Sequence, residues 1–188
     1  DLNGIQIDFL EDLEENALYD INDSNMFNND YQSWKGDVEK TVVADGNVKK
    51  LEIEMGGCMF ELMDSQDASY YVEYTGKGKT QAYVEDNELH VKVLNGNEWN
   101  IISWGAGEKD NCLTLYVPID TVFDEVDVNM GAGQMKLDGL KAKEMEVEIG
   151  AGQLLSKGLQ AEQLSVSVGA GEAVLEEALL KNVQTEVG

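Results

Sequence analysis

The side chains of this chain that could do chemistry are mostly carboxylates. Of 188 residues, 37 are Asp or Glu. Paired carboxylates at a set separation cleave glycosidic bonds, but with so many acids a pair falls at every spacing and the pattern singles out none. The one histidine, His90, lies in DNELHVKV, where alternation turns it outward beside Lys92. It supplies neither a Ser-His-Asp set nor a multi-histidine metal site. Cys58 and Cys112 fit no short metal-binding spacing. They read as two separate small apolar residues, with a single disulfide as the alternative. The run Asp20-Ile21-Asn22-Asp23-Ser24 has the look of a calcium loop, yet Asn25 stands where that loop needs glycine and Tyr31 where it needs an acid. Gly-Ala-Gly recurs along the chain without the G-x-x-x-x-G-K-[ST] spacing of a phosphate loop. No catalytic residue, metal ligand or cofactor is expected. The residues left for binding are Trp99 and Trp104 in NEWNIISWGAG. Being five apart, they point to opposite faces of a regular strand. One would then join the core and the other could stack on a sugar or a partner protein. The alternative packs both against the flank of the domain.

The basic residues number 13, all lysine, and the formal charge is −24. The charge and the missing arginine argue against nucleic acid, which is bound through basic patches, and against an anionic membrane surface. Without arginine there is no bidentate clamp for carboxylate or phosphate. Hydrophobic residues make up 43%, enough for one packed domain. No apolar stretch approaches the ~20 residues that span a bilayer. The chain opens on Asp1 rather than Met, as expected of a processed or trimmed form.

What must position these side chains is a repeat. VDVNMGAGQMKLDGLKAKE (126–144) is followed by MEVEIGAGQLLSKGLQAEQ (145–163) and LSVSVGAGEAVLEEALLKN (164–182), and a fourth copy begins as VQTEVG. The period is 19 residues. Val126, Met145, Leu164 and Val183 share one apolar column. Val128, Val147 and Val166 share the next, and Met130, Ile149, Val168 and Val187 the third, with polar residues between. Such alternation is a half-buried strand. Each strand meets a glycine pair, Gly131 and Gly133, Gly150 and Gly152, or Gly169 and Gly171, expected to be a structural corner that needs φ > 0 or close backbone approach. A second short strand is expected after each corner, then a bend at Gly139, Gly158 and Glu177. The last columns, Leu140/Leu159/Ala178 and Ala142/Ala161/Leu180, trade large for small as neighbours in a packed interior do. Lys143, Glu162 and Lys181 form an outward column of alternating charge. One such unit cannot bury its own face. Stacked about 4.8 Å apart, the copies form a continuous core: an all-β fold, a single-stranded parallel β-solenoid with 19-residue glycine-marked rungs.

Residues 37–125 read as less regular strands of the same domain, which then runs from 37 to 188, with the regular repeats at 126–188. LEIEMGGCMFEL (51–62) looks like the opening of a copy. QAYVEDNELHVKVLNG (81–96) reads as two strands joined at the turn-prone pair Asp86-Asn87. Residues 1–36, acidic and Asn-rich, read as a linker or a short helix. The last copy breaks off at Gly188; either the natural chain continues from there, or the open end of the solenoid meets another chain and an oligomer forms through it.

The order LEIEM, DNELHVKV, LTLYVP and then VxVxxGAGxxxLxxL copies resembles the bacterial putative adhesin family of β-strand-repeat proteins, a domain of unknown function. The match covers roughly 40–188, and GAG stands where many relatives carry serine-glycine. The resemblance implies right-handed winding, a signal or anchor outside this chain, and an extracytoplasmic place on the bacterial cell surface. It carries over no site residues. The function expected is therefore a non-enzymatic module for adhesion or cell-envelope interaction, with a surface glycan or a protein as partner. An architectural or sensory ectodomain spacer is the first alternative and a β-helix carbohydrate-active enzyme the second.

Overall fold

The computed structural model describes residues 31–94 and 111–187, and every regular element among them is a β-strand. In chain order these are β1 (Tyr31–Lys35), β2 (Val38–Asp45), β3 (Lys50–Ser65), β4 (Ser69–Thr75), β5 (Lys79–Glu85), β6 (Glu88–Leu94), β7 (Cys112–Pro118), β8 (Phe123–Lys136), β9 (Lys141–Lys157), β10 (Gln160–Glu176) and β11 (Leu179–Val187). They pair in the order β1-β5-β6-β3-β8-β9-β10-β11, with β2, β4 and β7 branching from the second half of β3.

The apolar columns dictate the register of the C-terminal strands. Val126 pairs with Met145, Met145 with Leu164, and Leu164 with Val183, all parallel and all 19 residues apart. Slipping by one residue would turn every Val, Met and Leu of a strand into water. Inside, Val126, Val128, Met130, Val147, Ile149, Val166 and Val168 are buried. The volume column continues upstream to Phe123, which stands on Ala142, itself on Ala161 and Leu180. The stack continues backward into β3, where Leu51, Ile53 and Met55 lie parallel to Val126, Val128 and Met130. The segment that looked like the opening of a copy is therefore the layer on which the copies are built.

The sheet is mixed, which corrects the expectation of purely parallel pairing. Asp86 and Asn87 have φ of 50° and 64°, as a two-residue type I′ turn requires. So short a connection can only return the chain antiparallel. β5 and β6 are accordingly a hairpin, with Tyr83 opposite His90. β1 adds to β5 antiparallel, and β4 lies antiparallel between β2 and β7. Only β6, β7 and β8 run parallel to β3. Residues 31–35, expected in the linker or helix, form the edge strand β1, where Trp34 packs against the core. The rest of that segment, residues 1–30, lies outside the described residues.

A second correction concerns the glycine corners. β8, β9 and β10 run through them as single strands rather than breaking into two. The ladder skips one residue at Gly131, Gly150 and Gly169 and resumes at the next. The bend after the second leg is at Gly139 (φ 69°) and Gly158 (φ 73°), and Glu177 adopts φ 52° in the same place.

Cys58 and Cys112 are both free thiols. Cys58 stands on β3 where the layer above has Gly133. Burial first, then the neighbouring Cys112, pushes its thiol up to about 12, so almost none of the reactive thiolate exists at neutral pH.

Candidate functional site

Alternation leaves every second residue of the main sheet facing solvent, and parallel register lines those residues up across strands. One outward row runs His90, Glu52, Asp127, Glu146, Ser165 and Gln184 from β6 to β11. The row on one side is Glu88, Lys50, Glu125, Glu144, Gln163 and Asn182, and on the other Lys92, Glu54, Asn129, Glu148, Ser167 and Glu186. Carboxylates fill the centre, over β3, β8 and β9, and amides and hydroxyls take over toward β11. A groove of about 370 Å³ lies between the first two rows, floored by Val126, Met145, Leu164 and Val183.

Charge compensation on this face is one-sided. Lys50 pairs with Glu125, and Lys92 with Glu54 at 2.8 Å and Glu52 at 3.7 Å. Asp127, Glu144, Glu146 and Glu148 have no ion pair among the described residues. Partial burial, then the charges of Glu146 and Glu52, raise the Asp127 carboxyl above the ordinary aspartate range. An acid whose folded pKa is raised destabilises the fold once ionised. The cost is complete above its folded pKa and is relieved as pH falls through it toward the unfolded value. Asp127→Asn is therefore expected to raise stability at neutral pH by about 0.5 kcal/mol, like charges on adjacent strands being worth a fraction of a kcal/mol. Urea titrations at neutral and mildly acidic pH check it: the gain should shrink on acidification, and a gain independent of pH would contradict the cause.

His90 is held at the margin of this face. Its Nδ1 donates to the Glu52 carboxylate, and Nε2 is 3.9 Å from Glu88. The ring stacks on Tyr83 at 4.5 Å and 11°. The imidazole thus ties β6 to β3 and supports the hairpin from outside.

The six glycines Gly131, Gly133, Gly150, Gly152, Gly169 and Gly171 stack on one another through the backbone. A Cβ on Gly133 would lie 2.0 Å from the Cys58 carbonyl oxygen, on Gly152 1.8 Å from that of Gly133, and on Gly171 1.7 Å from that of Gly152. The outward charge column begins one layer earlier than expected, at Asp124. Lys143 binds Asp124, and Lys181 binds Glu162 at 2.8 Å. These four side chains are exposed, so each pair stabilises by only a fraction of a kcal/mol.

A second, smaller face covers β2, β4, β7 and the second half of β3. Val42, Tyr71, Tyr116 and Met63 sit opposite one another across these four strands. The Tyr71 and Tyr116 rings meet edge to face at 6.5 Å and 87°. Tyr71 donates to Asp67 at 2.6 Å and Tyr116 to Glu73 at 2.9 Å. The Asp67 bond is the main cause that lifts the Tyr71 phenol above its usual range, whereas burial leads for Tyr116. Sequence reading passed over these two tyrosines. Their signal is parity: they alternate against the inward Tyr70, Val72 and Tyr74 and against Leu113, Leu115 and Val117. That β4 and β7 are neighbours has no local signature. Trp99 and Trp104, the residues singled out for binding, lie outside the described residues, as do Gly105-Ala106-Gly107 and Gly188. At the outer edge, Leu179 and Val183 of β11 are exposed.

No curated protein matches the chain. Among solved structures it is similar to a "putative cell adhesion protein" from Clostridium sporogenes, at 12% identity over 84% of this chain and 100% of that one, with a TM-score of 0.46. It is similar to a "putative adhesin" from Parabacteroides distasonis at 12% identity over 84% of this chain and 69% of that one, TM-score 0.40. A "putative adhesin" from Bacteroides fragilis matches at 11% identity over 84% and 95%, TM-score 0.31. The family comparison spans both the irregular layers and the repeats: a family model matches residues 48–187, and the chain belongs to the Toastrack DUF4097 family.

Proposed function

We propose that the chain is a non-enzymatic surface module that adheres to, or docks on, polymers of the bacterial cell envelope. The observation that supports this reading is the set of parallel outward rows. They set polar groups at the same place in every layer along an open groove, carboxylates on β8 and β9 and amides and a hydroxyl on β10 and β11. Periodic polar groups on a rigid sheet suit a periodic ligand such as a glycan, whose hydroxyls take hydrogen bonds from amides and give them to carboxylates. Extracytoplasmic display belongs to the same proposal, as does the winding of β8 to β11 into one β-solenoid, a reading supported by the constant 19-residue offset; its right-handed sense is what the family resemblance implies.

The purified domain is expected to be retained on cell-wall polymers or mucin-type glycans in a pull-down. Calcium-dependent retention would assign the contact to the acidic rows, bridged by the cation to anionic glycans. Failure to bind every surface, with and without calcium, would remove adhesion. The reading left would be an architectural or sensory spacer, which the regular stacking of the copies at a constant 19-residue offset favours.

A further inference from the structure

The edge-to-face tyrosines of the smaller face form an L-shaped corner, and a cation already sits in it. The Lys40 ammonium is 3.8 Å from the Tyr116 ring centroid and 4.8 Å from that of Tyr71. Two perpendicular π-faces around one ammonium are the geometry by which aromatic cages hold alkylammonium groups. The two phenols are held from outside by hydrogen bonds to Asp67 and Glu73. Carboxylates on the rim add to the attraction for a cation.

Lys40 is weakly tied to this place. It lies on the edge strand β2, in the stretch between Val38 and Thr41 where the pairing with β4 shifts register. It makes no ion pair among the described residues, and its side chain is exposed. Val42 and Met63, 40% and 43% exposed, extend the row on either side of the rings, as apolar ground for an alkyl stem. A chain with a formal charge of −24 and no arginine draws cationic partners to its surface.

We propose that the Tyr71–Tyr116 corner is a binding site for the alkylammonium group of a lysine side chain on another polypeptide, and that Lys40 is its displaceable internal occupant. The site is independent of the glycan reading, since it lies on different strands and takes a cation rather than a hydroxylated polymer. Because Lys40 competes for the corner, the intact protein binds more weakly than a variant lacking that side chain.

The test is a titration of the folded protein with Nα-acetyl-lysine methylamide, followed by NMR of the Tyr71 and Tyr116 ring protons. The uncharged norleucine analogue and sodium chloride serve as controls. In Lys40→Ala the ring protons should shift saturably with the lysine probe and not with either control. Wild type should need about tenfold more probe for the same shift, the worth of one partly exposed cation–π contact. In wild type the Lys40 side-chain protons, moved upfield by the rings, should return toward their free positions as probe is added. In Lys40→Ala combined with Tyr116→Leu the response should vanish. Tyr71→Leu serves as the second disruption if the first fails to fold. The proposal is overturned if Lys40→Ala gives no saturable shift, if norleucine shifts the rings equally, or if wild type and Lys40→Ala respond at the same concentration.

Discussion

Gly152→Ala should destabilise the protein by about 4 kcal/mol, lowering the melting temperature by roughly 10 °C or abolishing soluble expression. Two causes add. Gly152 has φ 142°, a conformation that L side chains rarely adopt, and the new Cβ would stand 1.8 Å from the Gly133 carbonyl oxygen. That oxygen is backbone in the layer beneath and cannot swing aside. Relief would require separating two paired strands along the whole corner. Gly139→Ala is the matched control, because Gly139 is also left-handed, at φ 69°, yet has nothing within 4 Å of a new Cβ. It should cost only about 1 kcal/mol, the left-handed penalty alone. That Glu177 occupies the equivalent bend at φ 52° is consistent with a penalty the fold can carry. Thermal unfolding followed by circular dichroism checks both, and equal losses for the two variants would mean that the corners do not touch.

Phe123→Ala should cost about 4 kcal/mol, in the upper range for emptying a buried aromatic site. Phe123 is fully buried and packs against Tyr70 at 6.4 Å between ring centroids. Above it stand Ala142 and Ala161, which are too short to fill the space left behind. The ring joins the first regular layer to β4 of the smaller face, so both faces lose support at once. Phe123→Leu should recover most of the loss. Urea denaturation measures it, and a cost below about 1 kcal/mol would show that the site collapses around the missing ring.

Much of the larger face was legible in the order of residues. Val126, Val128 and Met130 and their copies 19 and 38 residues on specify inward side, register and layer neighbour together, because a repeat makes a distant contact look like a local pattern. The hairpin at Asp86-Asn87 was legible for a different reason: the turn is chemical and local. Even the resemblance of LEIEMGGC to a copy translated into parallel pairing with β8. The smaller face was not legible. Val42, Tyr71, Tyr116 and Met63 come from four strands that share no repeat, and the pairing of β4 with both β2 and β7 rests on long-range packing alone. Reading the repeat forward as uniformly parallel missed this branch, since nothing in the copies says how an irregular layer closes the stack.

What the sequence determined by itself is therefore the all-β class, the period and the inward columns. All of these follow from alternation and its repetition. What only the tertiary structure decided is which outward side chains meet: Asp127 crowded by Glu52 and Glu146, His90 held between Glu52 and Glu88, Lys40 seated on two tyrosines. The physical reason is that burial leaves a periodic trace along one strand, whereas contacts on an outer face depend on which strand lies alongside, and that is settled by the packing of the core beneath.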